Sequence, residues 1–230
     1  MTRGVAVTAA TSRARYDGQA DWYEQYNMAA AAGHRAEIEA LLGPGDGLCL
    51  DLGCGTGHYI EAIRATGRTV VALDRSGDQL RIARTREDRL VHADAAALPF
   101  ADGVFPTVAA FWISSDVDDF AGVLREVARV LRPGGLLAVF GVHPCFNGPA
   151  VEFPAGRDSA TVHPTYRELG WHSDAPWWGE NIRRRVGMRH MPLADLLNAI
   201  INAGLSIAKV EEPGERPIPY VLALRAYRSR

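Results

Sequence analysis

The sequence predicts a single α/β domain: a Rossmann-like, seven-stranded, mostly parallel sheet flanked by helices, with N-terminal helices and an insertion after the fifth strand forming a cap. Three observations carry that expectation. Short apolar runs alternate with helix-like segments between residues 46 and 142. Each run is apolar on both faces, as strands covered by helices on both sides must be. The first run, "LCLDL", ends in an acid and opens into a glycine turn, "GCGTG". The expected layout is an N-terminal helical cap over 1–45, a core over 46–142, an insertion over 143–191 and a closing helix with the last strands over 192–230.

Gly18 to Leu42 places Trp22, Tyr26, Ile38 and Leu41 at helical spacing before "GPGDG" stops the pattern, which predicts one or two helices. "GLCLDL" is the first strand, "HYIEAIRATG" a short helix closed by Gly67, and "RTVVALD" a second strand ending in Asp74. Ser76 is positioned to cap the helix begun by "SGDQLRIARTRE". "RLVHADA" is the third strand. "GVFPTVAAFWI" holds the fourth, with Pro106 at its start or at a bend because proline cannot donate to a ladder. "DDFAGVLREVARVLRPGG" is an amphipathic helix with a Pro-Gly-Gly stop, and "LLAVFGV" the fifth strand. From His143 to Met191 no period is visible. "PLADLLNAIINAG" then gives a helix, and "LSIAKVEE" and "PYVLALRAY" two strands able to pair as an antiparallel edge.

Composition narrows the function. The formal charge is −2 and Lys209 is the only lysine, so there is no general attraction for phosphate backbones, and nucleic acid is not the expected partner. Cys49, Cys54 and Cys145 form neither a CxxC pair nor a Cys/His cluster, and no disulfide or metal is expected. No stretch suits a secretory signal or a membrane span, so the expected location is the cytoplasm, with no membrane partner. The chain is expected to be a monomer or a homodimer.

The glycine turn decides the ligand. A dinucleotide site would want GxGxxG, but Gly53, Gly55 and Gly57 are followed by His58 where the last glycine should stand. Asp51, just before the turn, would repel a pyrophosphate and attract an ammonium group. Asp74 ends the second strand, where a carboxylate accepts both ribose hydroxyls in this topology. Asp94, after the third, is placed to accept from an adenine amino group. Amine, ribose and adenine together describe S-adenosylmethionine.

"LDLGCGTG", "VVALDRS", "HADAAALPFADGVFPTV" and "LREVARVLRPGGLLAVF", in that order, resemble the class I S-adenosylmethionine-dependent methyltransferases of the ubiquinone/menaquinone-biosynthesis-like branch, from about Ala20 to Val142. The resemblance implies that the turn residues Gly53, Cys54, Gly55 and Gly57 approach the methionine moiety, with Asp51 near its amino group. It implies that Asp74 is the ribose acid, that Arg75 and Ser76 neighbour the adenosine, that Asp94 and Ala95 clamp the adenine, and that Phe111 lines the floor under the methyl.

Ligands of open parallel sheets bind beyond the carboxyl ends of the strands. His143 follows the fifth strand there and is the first candidate for a base; the alternative is an imidazole that only ties the loop before Pro144. His163 and His172 are weaker candidates in the insertion. Aromatic walls suit a flat or greasy acceptor, and Tyr16, Tyr23, Trp177 and Trp178 are the expected pocket residues, whereas Trp22 and Tyr26 read as core. Arg183, Arg184 and Arg185 read as a solvated run. Asp116, Asp118 and Asp119 read as helix capping and dipole compensation.

The expected function is methyl transfer to a small molecule, a secondary metabolite or quinone-like compound, with oxygen, nitrogen or carbon as the target left open. The rival expectation is a protein that binds the cofactor without turnover, favoured if Trp177 or Trp178 fills the acceptor cavity. A nucleotide-dependent oxidoreductase is opposed by Asp51 and His58.

Overall fold

The computed structural model describes residues 13–154, 159–179 and 181–230. The rest of the expected cap over 1–45, residues 1–12, and parts of the 143–191 insertion lie outside the described residues. Two helices, α1 (Ala20–Gly33) and α2 (Arg35–Leu42), precede the sheet. The core then runs β1 (Leu48–Leu52), α3 (Ile60–Ala65), β2 (Thr69–Asp74), α4 (Gly77–Ala83), β3 (Leu90–His92), β4 (Phe105–Phe111), α5 (Phe120–Val130) and β5 (Leu131–Val142). The insertion holds β6 (Val151–Glu152), β7 (Thr161–Val162), β8 (Gly170–His172), α6 (Ile182–Val186) and β9 (Met188–His190); α7 (Leu193–Asn202), β10 (Leu205–Glu211) and β11 (Val221–Arg228) complete the chain.

The sheet has seven strands in the order β10-β11-β5-β4-β1-β2-β3. The first five strands pair in parallel, and β11 enters antiparallel between β5 and β10. The α/β class and the mostly parallel sheet are therefore as expected. β1 shows why its sequence does not alternate: Leu50 and Leu52 pack toward α5 and α7, while Cys49 packs toward α2 and α3, so both faces are buried. Strand order reverses beside β1, which opens a crevice beyond the carboxyl ends of β1 and β4.

The end signals act as local chemistry predicts. The Ser76 side chain accepts from the Gln79 N–H, and Asp119 Oδ1 from the Gly122 N–H, each capping a helix. Pro106 sits second in β4, where the register against β5 shifts between Phe105 and Thr107. The Pro-Gly-Gly segment ends α5 but does not delay the strand: β5 begins at Leu131, and the exposed residues 132–134 loop out of the ladder.

Other expectations need correction. Trp22 and Tyr26 are not core: Tyr26 is 43% exposed, and the two rings stack on each other at 4.7 Å with the Arg185 guanidinium 4.1 Å above Trp22. Arg183 is not solvated, since burial of its charge is balanced by Asp116 at 2.5 Å. The aperiodic insertion is two small antiparallel ladders, β6–β7 and β8–β9, around a satellite core of Val142, Ala175, Trp178 and Met188. No helix among the described residues is long and apolar enough to cross a membrane.

Candidate functional site

One cavity of about 450 Å³ opens at the crevice, a size ordinary for a small-molecule ligand. Its floor comes from the strand ends and their turns: Asp51, Gly53, Cys54, Gly55, Asp74, Arg75, Ser76, Asp94, Ala95 and Phe111 all line it. Its roof comes from the N-terminal segment, with Tyr16 and Tyr23 in edge-to-face contact at 5.6 Å.

The turn places backbone against the cavity because Gly53 adopts φ 74°, and a side chain there would meet Ile113 at 3.0 Å. Gly57 is different. At φ 85° it faces α3, where a Cβ would come within 2.8 Å of Ile60, and it does not line the cavity. It shapes the turn instead of approaching the ligand.

Asp74 is held by the turn it faces: the Gly55 N–H donates to Oδ2 and the Ser76 N–H to Oδ1, both at 2.8 Å. Burial raises its pKa, and these backbone donors oppose the rise. Asp51 has no such support. It is 2% exposed, Oδ2 has no hydrogen-bond partner among the described residues, and burial, reinforced by Asp74, pushes its pKa up to about 7. A buried carboxylate in that state gains most from a cation. The site therefore fits a ligand that brings an ammonium group to the glycine turn. Asp94 Oδ1 accepts from the Ala96 N–H, and its other oxygen lies 3.6 Å from Arg75 Nε.

The roof is latched by contacts remote in sequence. Ser76 Oγ donates to Asp17 at 2.6 Å, and the Gly18 and Ala20 N–H groups donate to Asp78. Arg86 grips Glu24 of α1. Tyr16 OH donates to Asp116 Oδ1 at 3.0 Å, and Arg183 holds the same carboxylate from the insertion. Burial and Asp116 raise the Tyr16 pKa; burial, followed by Tyr59, raises that of Tyr23, so both phenols stay neutral. Of the acids after β4, only Asp119 caps a helix; Asp116 and Asp118 are tied to the roof, the latter by Arg15 at 2.7 Å.

The insertion holds the other expected site residues, and none lines the cavity. His143 is 1% exposed; its Nε2 is 2.8 Å from Glu212 and its Nδ1 accepts from the Cys145 N–H. Both nitrogens are thereby spent on the loop, and the imidazole does not line the cavity. His163 stacks on Trp177 at 4.0 Å with Nε2 3.3 Å from Glu152, Trp178 fills the satellite core, and His172 contacts Glu168 O. The insertion props the roof from outside, through Arg183 and through Trp171, whose ring lies 3.6 Å under Arg15. The tryptophans do not fill the cavity, which opposes a protein that binds without turnover.

Several lining residues carry no site signal of their own in the sequence, and four of them matter to the geometry. Trp112 follows β4 with φ 62°, a left-handed conformation costly for a bulky residue, held by its N–H to Phe140 O at 2.6 Å and by its indole donating to Tyr59 OH at 2.8 Å. Gln79 reads as an ordinary helix residue, yet both its amide atoms are buried without a hydrogen-bond partner among the described residues. His58 and Tyr59 immediately follow the turn, and that adjacency was the available signal.

Comparison with known proteins agrees with this geometry. A family model described as a methyltransferase domain matches residues 50–139. Demethylmenaquinone methyltransferase of Mycobacterium marinum is 40% identical over 130 residues, 54% of this chain and 56% of that protein. The chain thus spans little more than half the length of that curated relative. An S-adenosylmethionine dependent methyltransferase from Mesorhizobium loti superposes with TM-score 0.72 at 26% identity, covering 86% of this chain and 100% of that one. The Burkholderia thailandensis 1,6-didemethyltoxoflavin-N1-methyltransferase, solved with 1,6-didemethyltoxoflavin and S-adenosylhomocysteine bound, shares the fold at TM-score 0.59 and 16% identity, covering 94% and 84%.

Proposed function

We propose, from the premise that residues 50–139 form a class I S-adenosylmethionine-dependent methyltransferase domain of the ubiquinone/menaquinone-biosynthesis-like type, that the chain transfers a methyl group to a small-molecule acceptor. The observation that carries this reading is the buried Asp51 beside the glycine turn, whose Oδ2 has no hydrogen-bond partner among the described residues. When bound, S-adenosylmethionine supplies an electrophilic methyl group on a sulfonium. Asp51 holds the amino group, and the backbone of Gly53, Cys54 and Gly55 lets the amino-acid chain approach. Asp74 accepts from the ribose, Arg75 and Ser76 flank the adenosine, Asp94 and Ala95 border the adenine, and Phe111 lies beneath the methyl.

Displacement at a sulfonium asks the protein mainly to align the two partners and exclude water. Tyr16 and Tyr23 supply that closure, and they stay neutral while doing so. The acceptor is a secondary metabolite or quinone-like molecule, methylated on oxygen, nitrogen or carbon. The protein acts in the cytoplasm as a monomer or homodimer, as one domain with cap, core, insertion and closing helix, and engages neither nucleic acid nor membrane.

Calorimetric titration with S-adenosylhomocysteine and, separately, NADH tests the reading. Micromolar binding of the former alone is expected. Binding of NADH, or silence toward S-adenosylhomocysteine, overturns it.

A further inference from the structure

We propose that His58, oriented by Glu24, is the proton acceptor of the reaction, which places the acceptor among molecules that keep an O–H or N–H proton until methyl transfer. The inference rests on the methyltransferase reading above. Most titratable groups that line the cavity are already engaged. Asp51 serves the cationic donor, Asp74 already accepts two backbone N–H groups, and Asp116 is shared by Arg183 and Tyr16. Tyr16 and Tyr23 are held neutral, and His143 is outside. His58 is left.

His58 lines the cavity from the start of the segment entering α3, and neither ring nitrogen has a hydrogen-bond partner among the described residues. Its Nε2 lies 3.2 Å from Glu24 Oε2 of the roof helix, within ion-pair distance though off the line of a hydrogen bond. Glu24 is itself fixed by Arg86, whose guanidinium also donates to Thr56 O in the glycine turn. An imidazole beside an anchored carboxylate is the arrangement that orients a base and stabilises its protonated form. The groups facing His58 are Glu24 and Tyr23 from α1 and Arg86 from the segment after α4. Burial lowers the imidazole's pKa, Glu24 raises it and Arg86 lowers it, and the net direction is down, so the ring is neutral and able to take a proton at pH 7.

The step balances without a further reactant. The acceptor's oxygen or nitrogen gains the methyl carbon as the carbon–sulfur bond breaks, the bonding pair remains on sulfur, and the displaced proton passes to His58 Nδ1. The positive charge that leaves sulfur reappears as an imidazolium facing Glu24, and the proton then leaves to water. Because Glu24 belongs to α1, the pair exists only while the roof is docked.

The test compares wild type with His58→Asn and Glu24→Gln. Calorimetry with S-adenosylhomocysteine comes first: wild-type silence there removes the methyltransferase reading itself, whereas binding by all three proteins within about threefold isolates the histidine. Imidazole NMR titration, with His58→Asn assigning the signal, is expected to show His58 titrating below the ordinary histidine value and lower still in Glu24→Gln. An unshifted His58 in Glu24→Gln overturns the pairing without any turnover measurement. With phenolic and amine probe acceptors methylated on oxygen or nitrogen, His58→Asn is expected to lose roughly 10²-fold or more in kcat together with the acidic limb of the pH profile. A wild-type rate and limb in that variant overturn the proposal. So does a wild-type protein that binds S-adenosylhomocysteine but methylates no phenolic or amine probe.

Discussion

The floor and the roof of the cavity are built from the same kinds of polar side chain but are held together over very different distances along the chain. On the floor, Asp74 is satisfied by Ser76 two residues away and by Gly55 across one β–α–β unit, Asp94 by Ala96, and Asp119 by Gly122. On the roof, Tyr16 reaches Asp116, Arg15 reaches Asp118, Ser76 reaches Asp17 and Arg183 reaches back to Asp116. The floor is fixed by spacing within a motif. The roof depends on the whole domain having folded first, and its contacts form only between segments about sixty or more residues apart. Donor recognition is thereby built into the core, while closure is a separate and more easily broken feature.

The largest effect that would break this contrast is Arg183→Met. Removing one partner of this part-buried ion pair leaves Asp116 charged and supported, among the described residues, by Tyr16 and Ser115, a loss of about 2–4 kcal/mol in chemical denaturation, somewhat below that for a fully buried pair. Adding Asp116→Leu to Arg183→Met is expected to recover much of that loss, because the orphaned charge goes too. If the single variant unfolds like wild type, the roof is not held from the insertion.

Asp51→Asn sharpens the comparison from the floor side. At pH 8 it is expected to weaken S-adenosylhomocysteine roughly 10–100-fold, the scale of a charged hydrogen bond, in calorimetry. Because the free carboxylate has its pKa pushed up to about 7, wild-type affinity should rise with pH toward 7 and then level off, a slope the Asn variant lacks. Stability moves the other way. A pKa raised by folding means the native state holds its proton more tightly, so wild type loses stability as pH climbs from the unfolded value toward 7. The Asn variant should therefore melt higher than wild type at pH 8 and equally near pH 4. Parallel loss of affinity and stability would make Asp51 merely structural.

The smallest effect belongs to His143→Ala. Its nitrogens bind Glu212 and the Cys145 N–H, so donor affinity should stay within about twofold and stability fall by about 1 kcal/mol, the worth of an ordinary hydrogen bond. A large fall in turnover with unchanged stability would return it to the chemistry.

The succession of strands and helices along the chain, the caps at Ser76 and Asp119, the bend at Pro106 and the placing of Asp51, Asp74 and Asp94 at the cavity-side ends of strands were legible in the sequence, because each depends on chemistry within a few residues or on a strand's two-sided burial. A carboxylate before a glycine turn has few other uses, and Asp51 could be singled out for that reason. What the tertiary structure alone decided is which polar groups are already satisfied. His143 and His58 are both histidines just past a strand or turn at the same edge of the sheet; Glu212, from the loop after β10, takes the first, and the docking of α1 brings Glu24 beside the second. Arg183 looks like one of three solvated arginines until Asp116 is seen beneath it. Local sequence specifies the residues that want partners, but a partner far along the chain is chosen by packing, and only packing determines which groups remain free to meet a ligand.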